Sequence, residues 1–303
     1  MPSHSLQHLS SRQYFSGYCL AVLAAVGFST KAILVKLCYA YPVDATTLLA
    51  LRMLFSVPVF LLIALRHGWK NRQTPLSRAD KLAVLLLGLS GYYLSSLLDF
   101  MGLQYISASL ERLILFLYPT FVVLISMLFL GKPCGKKELL ALLLSYAGIV
   151  VVFYAELNVQ AGQLWLGAGL VFASTLSFAA YLIGTGQIVA RIGTSRFTAY
   201  AMLVASVATV LQFAFTHPWQ ALLVPKPVYE YSMWMALIAT VLPVFMLSAA
   251  INRIGSSRAS LIGSLGPVAT LCMANQILGE ALTLVQMAGL VLVMAGVLSL
   301  SRR

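Results

Sequence analysis

The chain has 303 residues, of which 60% are hydrophobic and 9% are charged. Soluble domains carry roughly 25% charged residues, so this composition excludes a soluble enzyme or binding module and indicates an integral membrane protein. The net charge of +12 does not indicate nucleic acid binding, because the basic residues are spread over short loops and aromatic residues do not interleave with them.

Ten stretches are long enough to cross a bilayer, which requires about 20 mostly apolar residues. The first begins near Phe15 and is too long for the apolar region of a signal peptide, so residues 1–14 are expected to be a cytoplasmic tail. The predicted fold class is an all-α polytopic membrane protein. Its predicted transmembrane helices are 15–37, 45–65, 80–102, 106–130, 138–155, 163–187, 195–216, 230–251, 256–278 and 284–300.

An internal repeat divides the chain into two five-helix units, 15–155 and 163–301. A shift of 148 positions places 105–150 on 253–298 without a gap, and 12 of the 46 aligned residues are identical. Pro119 and Pro267 match inside apolar helices, where proline removes a hydrogen bond and breaks the helix. Two helices interrupted at matching places indicate a transporter's binding site, and simple kinks in packed helices are the alternative.

The basic residues predict the orientation of the helices. With the N-terminus in the cytoplasm, the inner segments hold fifteen Lys and Arg residues and the outer segments hold two. Positive loops remain in the cytoplasm, so both termini are expected there, in the cell (inner) membrane. Because each unit has five helices, the second unit crosses the membrane in the opposite sense, which makes the repeat inverted.

Five ionisable residues lie inside the predicted helices, all in the first unit: Lys31, Arg52, Asp99, Glu111 and Arg112. Each costs about 2.5–3.5 kcal/mol near the membrane centre, so such residues normally face each other or a water-filled cavity. We expect one substrate-binding cluster, in which the two carboxylates pair with two cations and the third cation meets an anionic group of the substrate.

Proton exchange is the other role expected in this cluster, with Glu111 as the first candidate and Asp99 as the second, because partial burial beside other charges shifts a pKa. Two structural interpretations remain open. Asp99, Glu111 and Arg112 are near helix ends, where side chains reach the headgroups, and Arg52 can form a structural bridge to Asp99.

Aromatic residues complete the predicted binding site. Tyr92, Tyr118 and Tyr181 are expected to wall it for an amphipathic solute. The fifth and tenth helices carry no charge in their apolar cores, which predicts a peripheral position against lipid or a second copy of the chain. The four cysteines and four histidines show no ligand spacing, so neither a metal nor a cofactor is predicted.

The chain resembles the drug/metabolite transporter superfamily, and within it the EamA-type carriers. The resemblance spans about residues 15–301 and is strongest in 107–132 and 257–280, each a proline helix that closes on a glycine. Gly279-Glu280 matches the Gly-Glu end that is frequent in the family, whereas Gly131-Lys132 departs from it. The resemblance implies a carrier with a central cavity and with the fifth and tenth helices outside.

The predicted function is therefore secondary transport and not catalysis, since no histidine, paired cysteine or metalloprotease motif lies at membrane depth. The expected substrate is a small organic metabolite, such as an amino acid or a similar amphipathic or anionic solute, moved outward by alternating access. The other expected partners are the lipid bilayer, a coupling proton and a second copy of the chain that docks through the fifth and tenth helices. A passive channel or a non-transporting scaffold is the alternative.

Overall fold

The computed structural model describes residues 11–70, 76–130, 136–157, 163–254, 259, 262–263 and 265–301. Within these ranges the chain forms helices and no strands. Some features of the sequence analysis lie outside the described residues: most of the N-terminal tail, Gly131-Lys132 and the predicted start of the ninth helix at 256–258.

The described part of the first unit contains seven α-helices. They are α1 (Ser11–Cys38), α2 (Ala45–Lys70), α3 (Arg78–Gly88), α4 (Ser95–Gly102), α5 (Ala108–Leu115), α6 (Tyr118–Leu130) and α7 (Lys136–Leu157). A π-helical turn, Leu89–Leu94, joins α3 to α4 into one span. The fourth predicted helix is divided, because α5 ends at Leu115 and α6 begins at Tyr118.

The second unit follows the same plan. It contains α8 (Leu164–Ile192), α9 (Thr194–Thr216), α10 (Lys226–Ala236), α11 (Leu242–Ile254), α12 (Leu265–Leu278) and α13 (Leu284–Ser301). A second π-helical turn, Leu237–Val241, joins α10 to α11. Gly193 alone connects α8 to α9, and its φ of +84° is a conformation that glycine adopts without strain.

The predicted fold class is confirmed. Among the described residues, seven helical spans are long and apolar enough to cross a membrane and three shorter apolar helices accompany them, which fits ten transmembrane helices in two five-helix repeats. The helix boundaries differ by several residues in places. The first helix begins at Ser11 instead of Phe15, and the sixth extends to Ile192 instead of 187.

The two π-helical turns lie at matching positions of the repeat. The first begins at Leu89 and the second at Leu237, 148 positions later, which is the shift found in the sequence. A π-helical turn inserts one residue into a helix, displaces the side chains that follow, and is frequent at functional sites. Matching interruptions in both units therefore indicate that a functional site lies in the bundle interior near these two turns.

The last helices of the two units, α7 and α13, pack against each other at the side of the bundle. Their contact depends on small residues, since a Cβ added to Gly148 would lie 2.6 Å from the carbonyl oxygen of Gly289. The opposite surface of this pair is apolar and exposed, with Leu143, Val150 and Val291 each more than 60% accessible. The polar interior of the bundle lies among the other helices.

Candidate functional site

Lys31 connects two carboxylates inside the bundle. Its Nζ donates to Asp99 Oδ2 at 2.5 Å and lies 3.2 Å from Glu111 Oε1. The Asp99 and Glu111 side chains are 2% and 0% exposed. The sequence analysis assigned the two carboxylates to two different cations; the structure places both against the same ammonium.

Three helices supply this ion cluster. Lys31 comes from α1, Asp99 from α4 and Glu111 from α5. Glu111 is in the first turn of α5, where Ser107 caps the helix by accepting a hydrogen bond from Leu110 N at 3.0 Å. The helix dipole places partial positive charge at this end and so favours the Glu111 carboxylate. With all three groups ionised, the cluster carries one net negative charge, which one added proton would neutralise.

Arg112 contacts different groups from its neighbour Glu111. Its Nη2 donates to Ser29 Oγ at 3.3 Å, and Ser29 Oγ donates in turn to Gly266 O at 2.9 Å. A Cβ on Gly266 would lie 2.6 Å from Arg112 Nη2, so the guanidinium packs directly against the glycine. Arg112 of the first unit therefore rests on the start of α12 in the second, one residue before Pro267.

Arg52 occupies the space between the two π-helical turns. Its Nε donates to Thr240 Oγ1 at 3.2 Å, and its Cζ lies 5.4 Å from the centre of the Phe100 ring. A guanidinium over an aromatic face is stabilised by the negative face of the ring. Among the described residues, no carboxylate lies within 4 Å of Arg52 or Arg112, so the structure does not show the bridge from Arg52 to Asp99.

The three candidate tyrosines belong to a continuous row of rings. The Tyr181 hydroxyl donates to the Tyr92 hydroxyl at 3.0 Å, and the two ring centres are 5.1 Å apart. Tyr181 stacks on Phe178 at 5.5 Å, and Phe178 contacts Tyr118 edge-to-face at 5.7 Å. The row extends from the first π-helical turn, across α8, to the interruption between α5 and α6.

The two prolines of the repeat lie in α6 and α12. Pro119 is the second residue of α6, directly after the interruption of the fourth span, and Thr120 Oγ1 donates to Leu117 O at 2.7 Å across it. Pro267 is the third residue of α12. Pro119 thus stands in a first helical turn, where the missing N–H removes no intrahelical hydrogen bond, and the hydrogen-bond loss that was expected inside this helix does not occur.

Several polar atoms of the site have no hydrogen-bond partner in the described part of the protein. They include Arg52 Nη1, Arg112 Nε, Asp99 Oδ1 and Glu111 Oε2, all of them buried. Asp99 and Glu111 are close enough for a hydrogen bond between them when one carboxyl carries a proton. The site therefore has capacity to bind both an anionic and a cationic group, as well as a proton.

Sequence reasoning missed Ser29, Phe100, Phe178, Thr240 and Gly266 as members of this site. The repeat contained a signal for Thr240, because a shift of 148 positions takes Tyr92 to that residue. Gly266 precedes the proline that the repeat identified. Ser29, Phe100 and Phe178 carry no comparable signal, since serine and phenylalanine are common throughout membrane helices.

A duplicated bundle of membrane-length apolar helices defines a multi-pass membrane protein, and comparison with known proteins identifies the class as transporters. The match to one solved crystal structure covers 94% of this chain and 96% of that chain. The TM-score of 0.64 at 17% sequence identity shows that the two proteins share a fold. The uncharacterized transporter YcbK of Bacillus subtilis (strain 168) is 31% identical over 92% of this chain and 90% of its own. YyaM of the same organism, also an uncharacterized transporter, is 26% identical over 82% of this chain and 81% of its own.

The model of the EamA-like transporter family matches residues 15–154 and again residues 165–302. The chain belongs to the EamA-like transporter family, within the drug/metabolite transporter superfamily.

Proposed function

We propose that this transporter is a secondary carrier that exports a small amphipathic metabolite of the amino-acid type in exchange for protons. The supporting observation is the contact of Lys31 with both Asp99 and Glu111, beside two guanidinium groups that have no carboxylate within 4 Å in the described part of the chain. Buried charges of this kind normally mark a substrate or ion pathway.

The polar groups suit a zwitterion. A substrate ammonium group can replace Lys31 at the two carboxylates, while its carboxylate meets Arg52 Nη1 or Arg112 Nε. The row of rings from Tyr92 to Tyr118 offers an apolar wall for the side chain of such a solute. Bidentate guanidinium–carboxylate contacts supply both orientation and affinity.

The same groups account for proton coupling. When one carboxyl takes a proton, the cluster becomes neutral and the two carboxyls can hydrogen-bond to each other, so Lys31 is held less firmly. When the proton leaves, the negative charge attracts a cation, either Lys31 or the substrate ammonium. Proton and substrate therefore compete for one site, which is the basis of exchange.

Transport follows from the two units. In inverted-repeat carriers the halves rock about a central site near the bilayer midplane, so that the site faces each side in turn. The distribution of basic residues supports cytoplasmic N- and C-termini in the cell (inner) membrane. In this orientation α5 begins at the outer face of the membrane.

The test begins by identifying a substrate. Purified protein is screened against amino acids and related zwitterions for a rise in melting temperature, because a ligand that binds only the folded state stabilises it. Solutes that stabilise the protein are then used in proteoliposomes under an imposed pH gradient. Trans-stimulation by unlabelled solute distinguishes a carrier from a passive channel.

Two variants and one control test the site. Glu111→Gln should abolish accumulation driven by the pH gradient and retain solute exchange, whereas Lys31→Ala should lower both at least tenfold. Asp80→Asn is the matched control, because it neutralises a carboxylate that pairs with Arg191 at the protein surface, and it should transport normally. If Lys31→Ala and Glu111→Gln both transport and express like the native protein, the cluster is not the site.

A further inference from the structure

Glu280, which lies outside the ion cluster, connects the second unit to the first through hydrogen bonds. Its Oε1 accepts a hydrogen bond from Ala108 N at 2.7 Å, and its Oε2 accepts two from Ser109, at 3.1 Å from the backbone N and 2.6 Å from Oγ. The first amides of an α-helix have no partner within the helix. Here they are satisfied by a carboxylate more than 170 positions away in sequence.

The local backbone fixes the position of Glu280. Gly279 adopts a φ of +69° and ends α12, and Glu280 N then donates to Ala274 O at 3.1 Å. Asn275 Nδ2 also donates to Glu280 O at 2.8 Å. The glycine turn thus closes the helix and directs the next residue back towards the bundle. A carboxylate at the start of a helix has favourable interactions with its dipole and its free N–H groups.

The same short helix joins Glu280 to the ion cluster. α5 comprises eight residues, Ala108–Leu115, and carries Glu111 less than one turn after Ser109. The chain before α5 is also bound, because Lys36 Nζ donates to Leu103 O at 3.2 Å and to Ile106 O at 3.1 Å. A change in the pairing of Glu111 therefore acts on a helix whose start is held by the second unit.

The repeat provides this carboxylate in one unit and not in the other. A shift of 148 positions relates Glu280 to Lys132 and Ser109 to Ser257. A lysine repels the positive end of a helix and accepts no hydrogen bond from its N–H groups. The sequence therefore places a residue that can make this contact at Glu280 of the second unit, and a residue that cannot make it at the equivalent position of the first unit.

We propose that Glu280 is a latch that keeps the bundle closed on the membrane face where α5 begins. Opening of that face separates the end of α12 from the start of α5 and breaks the three hydrogen bonds to the carboxylate. This inference rests on the proposed alternating access of the two units. It assigns to Glu280 a positioning role, distinct from that of the residues that bind substrate or proton.

The first measurement is hydrogen exchange of the full-length protein in lipid nanodiscs. Glu280→Gln should raise the exchange rate of the amides of Ala108 and Ser109 at least tenfold. Ser109→Ala removes one of the three hydrogen bonds and should give a smaller increase, which separates loss of the latch from loss of the fold. Glu230→Gln is the matched control, because that carboxylate is exposed and pairs with Lys226 four residues earlier on the chain.

The second measurement reports opening of the face. Ala274 is fully buried and belongs to the same apolar cluster as Ala108, so an Ala274→Cys variant lacking the native cysteines reacts with a membrane-impermeant maleimide when the units separate. Combination with Glu280→Gln should raise the labelling rate at least fivefold, and combination with Glu230→Gln should leave it unchanged. Equal labelling rates in all three proteins, or unchanged amide exchange in Glu280→Gln, would overturn the latch.

These readouts require no substrate, so the latch and the proposed function can fail separately. Faster labelling in Glu280→Gln with no transport of any solute by the native protein would retain the latch and refute the carrier. Normal transport with unchanged labelling would retain the carrier and refute the latch.

Discussion

Tyr92 and Thr240 are equivalent residues of the two units, 148 positions apart, and each lies within a π-helical turn beside the buried Arg52. The repeat has conserved the geometry of the turn while the two side chains have diverged. The tyrosine hydroxyl accepts from Tyr181, and the threonine hydroxyl accepts from the guanidinium. Thr240 thus provides a polar partner from the second unit for a charge in the first.

Thr240→Val should destabilise the protein by about 1–3 kcal/mol, because it leaves Arg52 Nε without an acceptor in a buried setting. Arg52 Nη1 already lacks a partner among the described residues, so the guanidinium has little means of compensation. Thermal unfolding in detergent measures the effect. Thr240→Ser keeps the hydroxyl and should unfold near the native temperature; equal melting temperatures for Thr240→Val and the native protein would contradict this role.

Gly91→Ala tests the close contact at the first π-helical turn. A Cβ at this position would lie 2.2 Å from Cγ of Tyr181, a distance that requires the ring or the helix to move. Tyr181 is 5% exposed and has little room, so we expect a loss of about 1–3 kcal/mol, typical of overpacking.

The matched control for this substitution is Gly169→Ala in α8, where an added Cβ would meet no atom within 4 Å. It should be neutral or slightly stabilising, because alanine favours a helix more than glycine does. A melting temperature for Gly91→Ala at or above that of Gly169→Ala would show that the bundle relaxes readily around this turn.

The sequence predicted the fold well because a bilayer imposes simple requirements on it. Long apolar stretches in a bilayer must become helices. The repeat with its fixed offset then pairs each helix of the first unit with one helix of the second. Helix ends were harder to predict. α8 continues through the polar residues Gln187 and Arg191 to Ile192 and ends at Gly193, which adopts a φ of +84°.

The site was predicted less completely than the fold. The sequence indicates how deep in the membrane a residue lies, but it does not indicate which neighbouring helix its side chain faces. Lys31, Asp99 and Glu111 come from different helices and meet only after packing, so the sharing of a single ammonium had no sequence signal. Glu280 was noted only as part of a family-like Gly-Glu pair. Its bonds to Ala108 and Ser109 depend on the φ of Gly279 and on the contact between two units.

Asp44 offers a test outside the membrane-spanning helices, at the start of α2. Its Oδ1 accepts from Thr46 N at 2.8 Å and Thr47 N at 3.0 Å. Asp44→Ala should cost about 1 kcal/mol through loss of this cap, whereas Asp44→Asn should retain most of it. Thermal unfolding at neutral pH compares the variants, and an Asp44→Ala protein as stable as the native one would contradict the capping role.

The pH dependence of this cap follows from its pKa. Burial acts to raise the pKa of Asp44, but the hydrogen bonds from Thr47 and Thr46 and the charge of His217 together lower it below the ordinary value of 3.8. A carboxyl with a lowered pKa stabilises the folded state above the unfolded pKa and loses this effect as the pH falls through the folded pKa. The stability difference between the native protein and Asp44→Ala should therefore shrink as the pH falls below 3.8.

Lys31→Met provides the strongest test of the ion cluster as a physical unit. It leaves Asp99 and Glu111 buried without their shared cation, and breaking a buried ion pair on one side costs about 3–5 kcal/mol. The triple variant Lys31→Met, Asp99→Asn, Glu111→Gln removes all three charges and should recover a large part of that loss, because no uncompensated charge remains. Unfolding midpoints in detergent compare the two proteins. If the triple variant is less stable than Lys31→Met alone, the two carboxylates stabilise the bundle independently of Lys31, and their contact with it is not the basis of the cluster.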